Sequence, residues 1–348
     1  MARKPNGLEF ERPIIELETR IQALESKGTR KDLAIIKSLK KNLEELKEEI
    51  FSHLSAWETV QVARHPDRPQ TSDYIELMTE DFVELHGDRF FSDDRAIVTG
   101  FCRMDGRKVA LIGHQKGKST KEKVSCYFGC AHPEGYRKAL RIMNLAAKFG
   151  IPVVTLIDTP GAYPGIGAEE RGQAQVIALN LMEMARLRTP IINVVIGEGG
   201  SGGALGIGVG DRLCILEHAY YSVISPEGCA AILWKTGEKA PEAAEALKVT
   251  APFLVQLGIA EDIIPEPLGG AHRDPAAAAQ GVKDHVLRYL DELAHLSIDE
   301  VLDARYAKLR RIGQVLEGDA ADRAVAQAML PPVAGGERKE EEEKTPDA

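Results

Sequence analysis

The stretch VIGEGGSGGALGIGVGD, residues 195–211, carries eight glycines from Gly197 to Gly210 directly after the apolar run Ile191–Ile196. The run predicts a strand buried on both faces, and Gly202–Val209 predicts a helix behind it. Glycine has no Cβ, so this density lets backbone come very close to a ligand or to another chain segment. Three chemistries fit the same residues. Gly197-x-Gly199-x-x-Gly202, with Glu217 twenty residues past Gly197, matches a dinucleotide fingerprint. Gly199-Gly200-Ser201-Gly202-Gly203 matches G-x-S-x-G, a nucleophile elbow. Bare N–H groups at a helix N-terminus also make an oxyanion hole. Context favours the third. A dinucleotide fingerprint normally opens its domain, whereas other strand–helix units precede this one. A hydrolase needs a histidine downstream, and neither His218, His272 nor His285 has a distinctive setting.

Upstream, Ile157-Asp158-Thr159-Pro160-Gly161-Ala162-Tyr163-Pro164-Gly165 leaves the end of a second strand, Pro152–Ile157, and leads to a helix expected over Ala168–Met184. Open α/β sheets place their ligands at such strand ends. Two strand-end loops side by side would form a cleft. Further strands are expected at Ala96–Cys102 and Lys108–Gly113, joined at the turn Asp105-Gly106, and at Leu213–Leu216. A helix follows Pro133-Glu134-Gly135. Apolar strands alternating with helices predict an α/β sheet covered on both faces, with right-handed crossovers.

Two resemblances fail on inspection. Gly113-His114-Gln115-Lys116-Gly117-Lys118-Ser119 is one residue short of a phosphate-wrapping P-loop. Cys126-x3-Cys130-x-His132 has metal-ligand residue types but no fourth ligand or second clustered pair. The basic residues Lys116, Lys118, Lys121, Lys123, Arg137 and Lys138 are expected on a solvated face or beside the cleft.

At the N-terminus, Leu17, Ile21 and Leu24, then Ile36, Leu39, Leu43, Leu46 and Ile50, recur at helical spacing around a break at Lys27-Gly28. This predicts a helical hairpin, either a cap on the core or an arm that packs on a partner. From Pro275 the chain is again helical, and GGERKEEEEKTPDA at its end cannot build a core. The expected organisation is a hairpin over 1–56, a core over 57–292, C-terminal helices over 293–330 and a disordered acidic tail over 331–348.

The 348 residues are 44% hydrophobic, 28% charged and 5% aromatic, with a net charge of -9. Few aromatics and an acidic balance argue against a nucleic-acid binder. Five scattered cysteines, no apolar leader at the start and no long apolar run point to a reduced, cytoplasmic protein without a membrane span.

The motifs ARHPDRP (63–69), IGHQKG (112–117), PEGYRKALR (133–141), IDTPGAYPGIGAEERGQ (157–173), the 195–211 stretch, YSVISPEGCAAILWK (221–235) and IIPEPLGGAHRDP (263–275) together resemble the carboxyltransferase alpha subunits of bacterial acetyl-CoA carboxylase. The resemblance runs from about Glu9 to Leu309. It implies an α/β crotonase-like (ClpP/crotonase) fold, a spiral of ββα units, with the N-terminal hairpin and C-terminal helices added. It also implies carboxyl transfer from carboxybiotin, carried on a biotin carboxyl carrier protein and not attached to this chain, to acetyl-CoA. The product is malonyl-CoA for fatty-acid synthesis. Implied partners are a zinc-bearing beta subunit in an α2β2 assembly and biotin carboxylase; no metal is expected in this chain.

On that resemblance, Gly202 and Gly203 would hold the biotin ureido oxygen. Gly161, Ala162, Tyr163, Gly165, Gly199, Gly200 and Ser201 would line the same substrate cleft. Gly203→Val is then expected to abolish transfer without disrupting assembly. A stand-alone crotonase-fold acyl-CoA hydratase or decarboxylase is the competing reading, and activity without a partner would favour it.

Overall fold

Residues 7–26 and 32–313 are described in the computed structural model of the chain. Residues 1–6, the break at Lys27-Gly28, and all residues beyond 313, including 314–330 of the expected 293–330 segment and the charged tail, lie outside them. Helices α1 (Arg12–Glu25) and α2 (Asp32–Phe51) pack together through Ile14, Ile21, Leu43 and Phe51, with Leu17, Ile36, Leu39, Leu46 and Ile50 partly buried alongside. Their apolar stripe is therefore largely spent inside the pair, and Val62 of the following helix closes the cluster.

The core then runs α3 (Ala56–Ala63), α4 (Thr71–Met78), β1 (Glu80–Glu84), β2 (Ile97–Met104), β3 (Arg107–His114), α5 (Thr120–Ser125), α6 (Pro133–Lys148) and β4 (Val153–Thr159). It continues through α7 (Ile166–Glu170), α8 (Gln173–Arg186), β5 (Ile191–Gly200), α9 (Ser201–Leu205), β6 (Arg212–Leu216) and β7 (Tyr220–Ser222). The last elements are α10 (Pro226–Trp234), α11 (Ala240–Leu247), α12 (Ala251–Gln256), β8 (Asp262–Ile264), α13 (Pro275–Ala294) and α14 (Ile298–Arg311). No helix among the described residues is long and apolar enough to cross a membrane.

One sheet orders the strands β1-β2-β3-β4-β5-β6-β8, with β7 paired to β5. The β1–β2 and β2–β3 pairs are antiparallel and the remaining pairs parallel. Asp105 and Gly106 both take positive φ, 46° and 75°, which is the primed turn a two-residue hairpin needs. Every residue of β4 and β5 is buried, as parallel strands under helices on both faces must be.

Two elements differ from expectation. The helix expected over Ala168–Met184 is two helices, because Gly172 takes φ 82° between them. The helix expected over Gly202–Val209 stops at Leu205, while β5 runs on to Gly200. The extension is stabilised from the side: Glu198, Gly199 and Gly200 pair with Tyr220, Tyr221 and Ser222 of β7.

At the far end, α14 is anchored by Arg305, fully withdrawn from solvent. Its guanidinium donates to both Asp211 oxygens at 2.8 and 2.7 Å and to the carbonyls of Met184, Leu187 and Thr189. Asp211 in turn accepts the Ile191 N–H at 2.7 Å, so the helix is tied to the first residue of β5.

Candidate active site

The two central parallel strands, β4 and β5, end side by side, and their glycines let the following loops touch backbone to backbone. A Cβ on Gly197 would sit 2.6 Å from Asp158 Oδ1, and one on Gly200 would run into the Pro160 carbonyl. Beyond this seam opens a cleft of about 500 Å³. Its wall combines Pro160–Pro164 from one loop, Ser201 and Gly202 from the start of α9, and Val223–Ser225, with Glu169, Gln173, Ala174 and Ile177 opposite.

Gly161, Ala162, Tyr163, Ser201 and Gly202 of the expected residues therefore meet in one cavity. Gly203 is buried one step behind, against Gly161 and Ala162. Gly165 caps α7 and lies under the Tyr163 ring. Gly199 and Gly200 are strand residues rather than cavity wall: Gly199 packs on the Tyr221 ring and Gly200 on Pro160. Their role is to let the seam close.

Ser201 adopts φ 54°, a left-handed conformation that costs a non-glycine residue roughly 1–2 kcal/mol. Such strain at a strand-to-helix turn is what a functional loop tolerates. The first N–H groups of a helix have no acceptor within it. Among the described residues, no turn, loop or cap hydrogen bond takes the N–H of Gly202 or Gly203. The elbow reading does not survive, because the wall brings no histidine to Ser201 and Glu169 is its one carboxylate. Nearest the cleft, the main-chain groups without a turn, loop or cap acceptor are the N–H of Gly202, in the wall, and that of Gly203, behind it.

The loop over the cleft is held by the segment before α6. Tyr163 N–H donates to Ala131 O at 3.0 Å, and the His132 ring stacks on the Tyr163 ring at 4.0 Å between centroids. Tyr127 packs edge-on against both rings. Burial holds the His132 imidazole below its ordinary range, so it serves as a neutral platform.

A charged network, not anticipated from sequence, backs the seam on its other side. Glu198 accepts from Arg64 Nε at 2.7 Å, from Tyr220 Oη at 2.8 Å and from Lys116 Nζ. Lys116 also reaches Asp158 Oδ1 at 2.7 Å, and the same oxygen takes the Glu198 N–H at 2.9 Å. Arg64 continues to Glu227 at 2.5 Å. Burial alone would raise the Glu198 carboxyl, but Lys116 and Arg64 outweigh it and hold it at about 2. Arg64, Lys116, Asp158 and Glu198 line a second cavity of about 290 Å³, and Pro160 belongs to both walls. The only hint in the sequence was an acid, Glu198, set among glycines at a strand end.

The basic stretch is largely committed to carboxylates: Lys118 to Asp73, Arg137 to Asp88 and Lys138 to Asp93. Behind α9 lies His114, fully buried against the backbone of Gly203 and Leu156. Burial pushes its imidazole down to about 3.

All five cysteines are free thiols. The cluster with metal-type ligands among the described residues is instead Glu11, His65 and His272. Arg273 already donates to Glu11 at 3.0 Å, and His65 Nδ1 accepts the Asp67 N–H at 3.2 Å. A neutral imidazole accepting at Nδ1 carries its proton on Nε2, the nitrogen that faces Glu11, and so has no lone pair there for a metal. The cluster is a clasp between the N-terminal turn and the core.

A partly parallel sheet whose central strands end at this cleft gives the chain a crotonase-like fold. The chain is similar in fold to the beta subunit of P. aeruginosa geranyl-CoA carboxylase, with a TM-score of 0.51 and 17% identity over 72% of this chain and 46% of that one. The chain belongs to the acetyl co-enzyme A carboxylase carboxyltransferase-like family, whose model matches residues 7–313. It is 56% identical to the acetyl-coenzyme A carboxylase carboxyl transferase subunit alpha of Rhodopirellula baltica, over 89% of this chain and 98% of the relative. The Methylococcus capsulatus subunit of the same name is also 56% identical, over 88% and 96%.

Proposed function

We propose that this chain is the alpha subunit of a two-component carboxyltransferase that moves a carboxyl group from carboxybiotin, borne on a separate carrier protein, to acetyl-CoA, forming malonyl-CoA. One observation carries the reading: the Gly202 and Gly203 N–H groups meet no turn, loop or cap acceptor among the described residues, and Gly202 lines a cleft whose wall offers no nucleophile–histidine pair. Bound carboxybiotin supplies the activated carboxyl group and, on its release, an electron-rich ureido oxygen. The chain's part is to hold that oxygen. Gly202 contributes an N–H from the cleft wall and Gly203 one from immediately behind it, and each well-placed donor of this kind is worth roughly 10²–10³ in rate.

Tyr163, stacked on His132, holds the loop across the cleft, and the Glu198 network holds the seam from the opposite side. The thioester half of the reaction is assigned to a zinc-bearing beta subunit, in an α2β2 assembly working with biotin carboxylase and the carrier in the cytoplasm. A stand-alone hydratase is disfavoured because adding water across a double bond calls for paired acid–base groups, and the wall holds the single carboxylate Glu169.

The test is to co-express the chain with its beta subunit and assay malonyl-CoA formation from carboxylated carrier. Transfer is expected from the pair and not from this chain alone. Hydration of an enoyl-CoA by the chain alone would overturn the assignment.

A further inference from the structure

Residues 86–93, HGDRFFSD, set two phenylalanine rings in solvent, Phe90 85% and Phe91 61% exposed. The loop beneath them is fixed. Asp88 Oδ1 accepts the N–H groups of Phe90, Phe91 and Ser92 at 2.9, 2.7 and 3.1 Å, and its other oxygen takes Arg137 Nε at 2.8 Å. Each ring rests on a cation: the Arg137 guanidinium carbon lies 5.2 Å from the Phe90 centroid, and that of Arg171 4.7 Å from the Phe91 centroid. Arg171 is held in turn by Glu134 at 2.9 Å. It stands two residues from Glu169 and two from Gln173, both on the wall of the Ser201–Gly202 cleft, a backbone span of at most about 7 Å each way. The rings thus stand on the flank of the cleft. Beside them, Arg89 is exposed and Arg141 donates to the carbonyls of Gly87 and His86 at 3.1 and 3.0 Å. Neither forms an ion pair among the described residues. Burial and the neighbouring Arg89 charge hold the Arg141 guanidinium below its ordinary range.

We propose that Phe90 and Phe91, bordered by Arg89 and Arg141, are the docking point of the biotin-bearing carrier protein, which meets them through an acidic face with an apolar spot at its centre. The inference rests on the proposed function and adds to it the place where the carrier lands. Rigid apolar surface held in water marks an interaction site, and its size selects the partner. Two rings at this exposure offer about 300 Å², well short of the roughly 800 Å² per partner that a stable interface covers. A permanent subunit calls for a larger face. The carrier must arrive and leave in every turnover, so a small contact suits it. Border charges steer its arrival more than they tighten the complex, and the fixed loop spares the cost of ordering the rings on contact. The flank of the cleft is also where a tethered biotin has to enter.

The test runs the proposed transfer in reverse on the assembled enzyme. It follows acetyl-CoA formed from malonyl-CoA as the carboxyl group passes to biotin on the carrier or to free biocytin. Replacing both rings, Phe90→Ser with Phe91→Ser, is expected to lower kcat/KM for the carrier about tenfold or more while leaving that for biocytin within about twofold of wild type. Arg89→Glu, a change confined to an exposed side chain, should raise the KM for the carrier about threefold or more at low salt, and the difference should shrink as salt screens it. Equal losses with both acceptors, or no loss with the carrier in either variant, overturn the inference. So does dissociation of the subunits in the double variant on size-exclusion chromatography, which would give the rings to the beta subunit. Wild type that carboxylates neither acceptor counts against the proposed function itself, a result distinct from carrier and biocytin responding alike.

Discussion

A Cβ added to Gly203 would lie 2.5 Å from the backbone nitrogen of Ala162. The adjacent Gly202 is different: its Cβ would meet only Ile177, at 3.7 Å. Two neighbouring glycines thus do two jobs, one sealing the loops together and one keeping the cleft open. Gly203→Val consequently disturbs the 160–165 loop as well as the donor and is not a clean probe. Gly202→Val is the better one. It should fold and assemble normally yet lose about 10²–10³ in carboxyl-transfer rate. Gly203→Ala should instead lower stability, by about 1–3 kcal/mol as overpacked sites do. Paired assays and melting curves distinguish them.

Glu198 joins Arg64, Lys116 and Tyr220 beneath the seam. Glu198→Gln leaves two cations short of a partner, and breaking a buried pair in this way costs about 3–5 kcal/mol. The folded carboxyl sits at about 2 against an ordinary 4.5. Its contribution is therefore complete above pH 4.5 and is lost as pH falls toward 2, amounting to about 3 kcal/mol. Denaturant titrations across that window should show this acid limb in wild type and not in the variant.

His114 titrates in a different window. Its folded value of about 3 lies below the ordinary 6.5. Between these values the unfolded chain binds a proton that the folded one refuses, so stability falls as pH drops below 6.5. From pH 6.5 to 5 the loss attributable to this residue is about 2 kcal/mol. In His114→Gln that slope should vanish while the Glu198 limb persists. A variant with an unchanged slope would show the imidazole to be charged in the fold.

Arg305 holds α14 through Asp211 and three carbonyls. Arg305→Ala should cost about 3–5 kcal/mol by stranding a buried carboxylate and expose residues 298–311 to protease. Arg305→Lys should rescue little, because an ammonium cannot span the fork of acceptors a guanidinium serves. Limited proteolysis with mass spectrometry reads both.

Much of this was legible in the chain. The apolar runs at 153–157 and 191–196 and the Asp105-Gly106 turn fall on β4, β5 and the β2–β3 hairpin. Ser201, Gly202 and Gly161–Tyr163 could be grouped because each follows a strand end rich in glycine and proline. Element ends were less legible. Gly172 sits inside an otherwise helical pattern, and the strand character of Gly199 and Gly200 comes from pairing with β7 rather than from their own preference.

The amino-acid order alone determined the α/β class, the loops that bear the site and the family motifs, since backbone preference and apolar period act over short spans. Only the tertiary structure decided which glycines seal and which line, and that Lys116 and Arg64 converge on Glu198. Arg64 and Glu198 stand 134 positions apart. Contacts between distant side chains depend on how strands stack and loops cross, and local sequence carries no record of that geometry.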